Sequence, residues 1–289
     1  MILVTGATGH FGSAAIDFLL QKGIPANSIA ALVRDETKAA GLKEKGIAVR
    51  KGDYDDYDSL VNAFSGVDKL LLVSGNDIVN RGKQQANAVK AAKEAGVKYI
   101  LYTSFDRKNE TASSPIAFLA KTHIETEQDI KASGIPYTIF RNTLYTDFLP
   151  IFIGEKVFDT GVYWPAGNGR ASVVTRKDMA EAAANVLTGA GHEGKEYIIA
   201  NPVSTSLQEV ATALGKIAGK TITYISPSTA EYKAALTAAG VPETYVDIFA
   251  SFGEAVEQGE FDNTHSDIEQ LLGRKPETTA AFLERYYQK

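Results

Sequence analysis

Short apolar runs alternate with helical segments through the first half of the chain. The runs Ile2–Thr5, Ile29–Val33, Ile47–Arg50, Lys69–Val73, Tyr99–Thr103 and Tyr137–Phe140 are β-rich and bounded by Gly, Asp, Ser or Pro, which predicts six strands. Helices fill the gaps. The stretch from Gln84 to Ala95 is rich in Ala, Lys and Glu and stops at Gly96, and Ile116 to Ala132 stops at Ser133-Gly134, both natural C-terminal signals. Alternation of this kind builds right-handed βαβ units, so the predicted fold class is α/β, a Rossmann-type doubly wound parallel sheet over residues 1–145.

After Asn142 the alternation fails, and Gly and Pro punctuate the chain to Gly169. Residues 146–289 therefore read as a smaller, mostly helical substrate-binding subdomain, with a strand-like Ala171–Thr175 expected to return to the first sheet and a helix opening near Asp178. Beyond it come a strand at Tyr197–Ala200, a helix opened by the capping box Ser206-x-x-Glu209, a strand at Thr221–Ile225, and helices broken at Gly240, Gly259 and Gly273. There is no internal repeat.

The first strand breaks straight into Gly6-Ala7-Thr8-Gly9-His10-Phe11-Gly12. Three glycines spaced as GxxGxxG between a strand and a helix predict a dinucleotide site, in which Gly6 supports a sharp turn, Gly9 admits a pyrophosphate and Gly12 lets helix and strand pack closely. Phosphate oxygens would meet the exposed N–H groups of the helix N-terminus. The adenosine ribose arrives at the tip of the second strand, about 20 residues past the glycines. An acidic residue there favours NAD; this chain has Arg34, with Lys38 one turn on, so NADP is the expected cofactor. Asp35, next in line, leaves some use of NAD open.

Ligands of such sheets collect beyond the carboxyl ends of the strands, which makes Asp53-Tyr54, Ser74-Gly75-Asn76, Thr103-Ser104-Phe105 and Arg141-Asn142 candidate contacts. Turn chemistry alone also places Asp, Ser, Gly and Asn there. Short-chain dehydrogenases usually carry a YxxxK pair, with tyrosine as proton donor and lysine lowering its pKa. Lys121 stands at the lysine position, but Ala117 occupies the tyrosine's. Reduction of an ordinary ketone or sugar is thereby disfavoured, and hydride transfer to an acceptor that spreads charge by itself, a quinone or a conjugated cation, remains. His123, as an i,i+4 pair with Glu127, and Tyr145 are the further proton-transfer candidates. Tyr145, Phe148, Phe152, Tyr163 and Trp164 are candidates to line an aromatic acceptor pocket, the alternative being packing at a domain junction.

Composition narrows the classes further. The chain of 289 residues has 44% hydrophobic and 22% charged residues and no low-complexity tract, as expected of a chain folded throughout. A net charge of −5 with scattered Lys and Arg argues against nucleic acid as a partner. Absence of cysteine excludes disulfides, thiolate catalysis and iron–sulfur ligation, and the four dispersed histidines offer no metal site. No apolar run reaches membrane-spanning length and the first strand starts at once, so a cytoplasmic protein without membrane contact is expected. The oligomeric state is not legible; a homodimer is compatible with all of these features.

Taken in order, VTGATGHFG, ALVRDETKA, KGDYDD, GVKYILYTS, HIETE, GIPYTIFRNTLYTDF, PAGNGR and VVTRKD resemble the NmrA-like atypical short-chain dehydrogenases, and within them the bacterial NADPH:quinone oxidoreductases and triphenylmethane reductases. The resemblance runs over nearly the whole length. It implies that Gly6–Phe11 hold pyrophosphate, Arg34 the 2′-phosphate, Ser74–Asn76 the adenosine side and Tyr137–Asn142 the nicotinamide end. It also implies two uses of one fold: a flavin-free and metal-free NADPH-dependent reductase of a small aromatic acceptor, with Asn142 and Tyr145 at the acceptor, or a non-catalytic NADP(H)-binding redox sensor acting through a protein partner. A sugar epimerase or dehydratase would need the tyrosine that Ala117 replaces.

Overall fold

All six predicted strands share one sheet with a seventh in the computed structural model, which describes residues 1–263 and 265–288. The strands are β1 (Ile2–Val4), β2 (Ile29–Val33), β3 (Ala48–Lys51), β4 (Lys69–Leu72), β5 (Tyr99–Phe105), β6 (Tyr137–Asn142) and β7 (Lys195–Ile199). Their order is β3-β2-β1-β4-β5-β6-β7, and every neighbouring pair is parallel. The chain reverses its direction of winding between β1 and β4, which opens a crevice at their carboxyl ends.

Successive strand residues feed opposite faces, as the period of two requires. Val4, Leu71, Leu101 and Phe140 pack under α1 (His10–Gln21), while Leu3, Leu70, Ile100 and Tyr102 pack on the other side against α2 (Tyr57–Phe64), α3 (Arg81–Glu94) and α4 (Ala117–Ser133). The helix expected from Gln84 begins three residues earlier because the Asp77 carboxylate accepts the N–H groups of Val79 and Asn80 at 3.1 and 3.0 Å, holding the chain as it enters the first turn.

The seventh strand departs from expectation. Residues 171–175 do not rejoin the sheet: only Arg170–Ala171 form a ladder, antiparallel to Thr205–Ser206, and Val174 makes a single bridge to Tyr145. The elements that return are α5 (Arg176–Thr188), which packs beside α1, and β7, which pairs with β6. The seven-stranded sheet and its flanking helices therefore take in 176–199 as well as strands from the region up to 145. A parallel partner for β6 needs a crossover helix, and α5 supplies it.

Ile268, Leu271 and Leu272 pack into the first core, while most of the remaining residues build a second core around Phe152 and Trp164, whose rings stack at 4.8 Å and 8°, with Phe249 and Phe252 closing in. Its helices include Leu207–Ala218, opened by the expected Ser206/Glu209 capping box, as well as Thr229–Ala238 and Glu243–Glu257. No helix among the described residues is long and apolar enough to cross a membrane.

Candidate functional site

A cleft of about 700 Å³ runs along the carboxyl edge of the sheet from the tip of β2 past the glycine loop to Tyr145, Phe148 and Arg176. Its size lies within the range of small-molecule sites, roughly 300–1,000 Å³.

The glycine loop forms the middle of this cleft. Gly6 has φ +58°, a conformation that other residues adopt at a cost, and its carbonyl accepts the N–H of Gly9 at 2.9 Å. A Cβ at Gly12 would lie 2.4 Å from that same carbonyl oxygen, so only glycine lets α1 approach β1 this closely. The first bond of the α1 ladder runs from Ser13 N to Gly9 O at 3.0 Å, leaving the N–H groups of His10, Phe11 and Gly12 ahead of it. Those donors, at the positive end of a helix and beside an open cleft, fit a diphosphate. Thr8, Gly9 and Phe11 line the cleft, whereas Ala7 is buried in the core beneath it and the His10 side chain is exposed away from it.

At the β2 end, Arg34 lines both this cleft and an adjoining hollow of about 610 Å³ shared with Lys51, Asp53, Ser59 and Asn62. Arg34 makes no ion pair with any described residue. The Asp35 carboxylate is engaged within its own turn, accepting from the backbone N–H and the hydroxyl of Thr37 at 2.9 and 2.6 Å and capping Glu36–Ala39. The same bonds hold its pKa below the ordinary value. Lys38 sits exposed in that turn, outside the lining residues, so the pairing with Arg34 expected from sequence does not form the cleft wall.

Asp53, Ser74, Gly75 and Asn76 line the cleft as their positions at strand ends predict. Tyr54 joins them, its hydroxyl donating to Thr5 Oγ1 at 2.6 Å, and burial pushes its phenol pKa well up. Thr103 acts through its neighbour: its Oγ1 accepts the N–H of Ser74 at 2.9 Å. Gln84 and Asp77, which no motif marks, also reach the cleft; Gln84 Nε2 donates to Asp55 Oδ2 at 2.9 Å and ties the β3 and β4 loops together.

Several predicted site residues lie elsewhere. Tyr137 is at the amino end of β6, the opposite edge of the sheet from the cleft. Ser104 donates to Glu127, and Arg141 pairs with Glu196 at 2.7 Å and Glu127 at 3.5 Å, so neither faces the cofactor end. Lys121 is on the exposed face of α4, 4.0 Å from Glu125. His123 is buried against Tyr102, with Nδ1 at 2.8 Å from its hydroxyl, and stacks on Phe105; burial keeps its pKa well below the ordinary value. It does not pair with Glu127, whose carboxylate is held by Arg107 through two bonds of 2.6 and 2.8 Å. Gln85 and Thr126 complete the His123–Tyr102 network, which accounts for His123 as a satisfied core residue.

At the far end of the cleft, Tyr145 and Phe148 stack at 5.5 Å and 19°. Phe152 and Trp164 belong to the second core instead, the Trp164 indole donating to Phe249 O at 3.0 Å, and Tyr163 packs on Tyr232. Burial raises the Tyr145 phenol above its ordinary pKa of 10.0, and the nearby Asn142 carboxamide opposes that rise. Asn142 does not line the cleft directly; it is buried at the end of β6, and neither atom of its amide has a partner of hydrogen-bonding geometry among the described residues. A buried amide left in that state is expected to serve a ligand or a bound group.

These features are consistent with the relatives the chain resembles. A sequence model described as the NmrA-like family matches residues 1–283. Quinone oxidoreductase 2 of Escherichia coli is 40% identical over 282 residues, covering 97% of this chain and 96% of that protein. The crystal structure of the E. coli NADPH-dependent quinone oxidoreductase complexed with NADPH superposes with a TM-score of 0.93 at 37% identity, covering 99% of this chain and 100% of that one. Triphenylmethane reductase of Citrobacter sp., complexed with NADP(H), gives a TM-score of 0.90 at 40% identity over 98% of this chain and 100% of its own. A family match over nearly the whole length, joined to a glycine cradle of this geometry, means that the chain belongs to the NmrA-like family.

Proposed function

We propose that this protein, an NAD(P)H-dependent oxidoreductase, uses NADPH to reduce a small aromatic acceptor, with a quinone as the leading candidate. The observation that carries the reading is the continuity of one cleft from Arg34, past the glycine cradle, to the stacked Tyr145–Phe148 pair. The names of the E. coli and Citrobacter relatives support it.

Within that cleft the chain's own residues divide the work of binding. The N–H groups of His10, Phe11 and Gly12 would hold the diphosphate and Arg34 the 2′-phosphate, while Asn142, buried behind the cleft wall, would act through the neighbouring Tyr145 phenol. When bound, NADPH supplies the hydride. Tyr145 and Phe148 offer a planar apolar wall against which an aromatic acceptor can stack. With its pKa raised, the Tyr145 phenol stays protonated at neutral pH and donates a hydrogen bond rather than acting as a base. Lys121 and His123 do not line the cleft, so the proton that completes the reduction comes from solvent. Holding two rings in contact can by itself lower a barrier by several kcal/mol, up to about 7–11 in the best intramolecular cases.

The test is loss of reduced-nicotinamide absorbance with purified protein, offering NADPH and NADH against benzoquinones and a triphenylmethane dye. Acceptor-dependent oxidation of NADPH is expected; tight binding of NADPH without turnover by any acceptor would replace the reductase with the sensor. In the same assay Tyr145→Ala should raise the acceptor KM about three- to tenfold, since an aromatic pair contributes roughly 0.5–1.5 kcal/mol. Arg34→Asp should cut the NADPH-over-NADH preference by one to two decades, because a charge-assisted contact is worth about 1.5–3 kcal/mol. An unchanged preference would show that Arg34 does not read the ribose phosphate.

A further inference from the structure

Arg176 is a cation ion-paired with the Asp147 carboxylate at the end of the cleft. It is the first residue of α5, at the positive end of the helix, and it lines the cleft beside Tyr145 and Phe148. Its backbone N–H donates to Asp147 Oδ2 at 2.8 Å. Asp147 Oδ1 lies 3.4 Å from Nε, outside hydrogen-bonding geometry, and the buried Nε has no other partner among the described residues. The guanidinium carbon sits 5.3 Å from the centre of the Phe148 ring. A rigid cation is thus held against the aromatic pair, with its terminal N–H groups donating to no described residue. Terminal donors that reach the cleft without a protein acceptor are available to an oxygen of a ligand.

We propose that Arg176 binds the acceptor oxygen on which negative charge develops, so that it speeds the reduction of acceptors that end as oxyanions and does little for acceptors that end neutral. This rests on the reductase reading above. A quinone that takes up a hydride gains two electrons and one new bond to hydrogen, while NADPH is oxidised to NADP⁺. The product is the hydroquinone monoanion, whose oxygen then takes a proton from solvent. A triarylmethane cation accepts the same hydride at its central carbon and ends neutral, with no oxyanion to bind. The guanidinium therefore stabilises charge in the first reaction and finds no developing oxyanion in the second. A cofactor diphosphate would present the same anionic oxygens, and the experiment separates the two sources.

Arg176→Gln and Arg176→Lys would be compared with wild type in three measurements: NADPH affinity by nicotinamide fluorescence titration, thermal midpoint, and kcat/KM with benzoquinone and with a cationic triphenylmethane dye. The expected result for Arg176→Gln is a benzoquinone kcat down by about 10- to 100-fold, a kcat/KM with the dye within about threefold of wild type, and an NADPH Kd within about twofold of wild type. Arg176→Lys should recover part of the quinone rate. Equal losses with both acceptors, or no loss with either, would overturn the proposal while leaving the reductase standing. An NADPH Kd raised tenfold or more would assign Arg176 to the cofactor diphosphate and overturn it too. Wild-type protein that reduced neither acceptor would overturn the reductase reading and this proposal together.

Discussion

Glu127→Ala is expected to destabilise the protein by about 3–5 kcal/mol, the range for removing one partner of a buried ion pair. Arg107 and Glu127 are both almost completely buried and meet in a bidentate pair at 2.6 and 2.8 Å, with Arg107 Nη1 also donating to Phe105 O at 2.9 Å. Alanine would leave the Arg107 charge buried with only the half-exposed Glu110 at 3.1 Å to offset it, and would deprive the Ser104 hydroxyl of its acceptor. Chemical denaturation would measure the loss; a change below about 1 kcal/mol, the scale of an exposed pair, would refute the assignment.

A pH dependence follows from the same pair. Burial alone would raise the Glu127 pKa, but the Arg107 bonds and the Ser104 hydroxyl outweigh it and hold the carboxyl below its ordinary 4.5. A carboxyl depressed in the folded state contributes stability that is fully present above its unfolded pKa, near 4.5, and is lost as pH falls through the lower folded value. Glu127→Gln should therefore be less stable at neutral pH and lose less on acidification below that point. Parallel stability curves for the two proteins would show that Glu127 does not carry the acid sensitivity. The consequence reaches the site because Arg107 anchors the segment that leaves β5 at the carboxyl edge of the sheet.

Gly12→Ala carries the second large effect. The added Cβ would meet Gly6 O at 2.4 Å, Gly6 C at 2.7 Å and the Ala7 Cα at 3.0 Å. All three are backbone atoms of the cradle itself, so no side chain can swing aside and α1 must move off β1. Overpacking of this kind costs up to about 3 kcal/mol, and in a site that depends on the loop's position the same figure corresponds to roughly two decades in NADPH affinity. Gly41 provides the control, because a Cβ there meets nothing within 4 Å and its helix, Ala40–Glu44, tolerates alanine. Fluorescence titration should show the NADPH Kd rising about 100-fold for Gly12→Ala and holding for Gly41→Ala. Similar affinities for both variants would mean that the cradle is softer than its backbone contacts imply.

Both effects bear on how much of the protein can be read without coordinates. The glycine spacing, the strand runs before Asn142 and the helix stops are local: turn geometry, side-chain period and capping act between residues a few positions apart, and each was legible, whereas of the runs expected at 171–175 and 221–225 only Ala171 and Tyr224–Ile225 pair in ladders. Arg34 was legible for the same reason, since its place at the end of β2 follows from the strand that precedes it. Strand ends were legible as positions, but not which of their side chains would face the cleft. Ser74 and Asn76 line it, whereas Ser104 and Arg141, in equivalent places, are taken by Glu127 and Glu196.

The sequence by itself therefore determined the parallel sheet, the glycine turn between β1 and α1 and the place of Arg34 at the end of β2, because each rests on neighbours along the chain. Tertiary structure alone decided that β7 rather than residues 171–175 completes the sheet, that Glu127 belongs to Arg107 and not to His123, and that Arg176 meets Phe148 at the end of the cleft. These outcomes depend on which distant elements pack together. A charge or a donor takes the best partner that folding brings within reach, and the order of residues does not disclose that partner before the chain has folded.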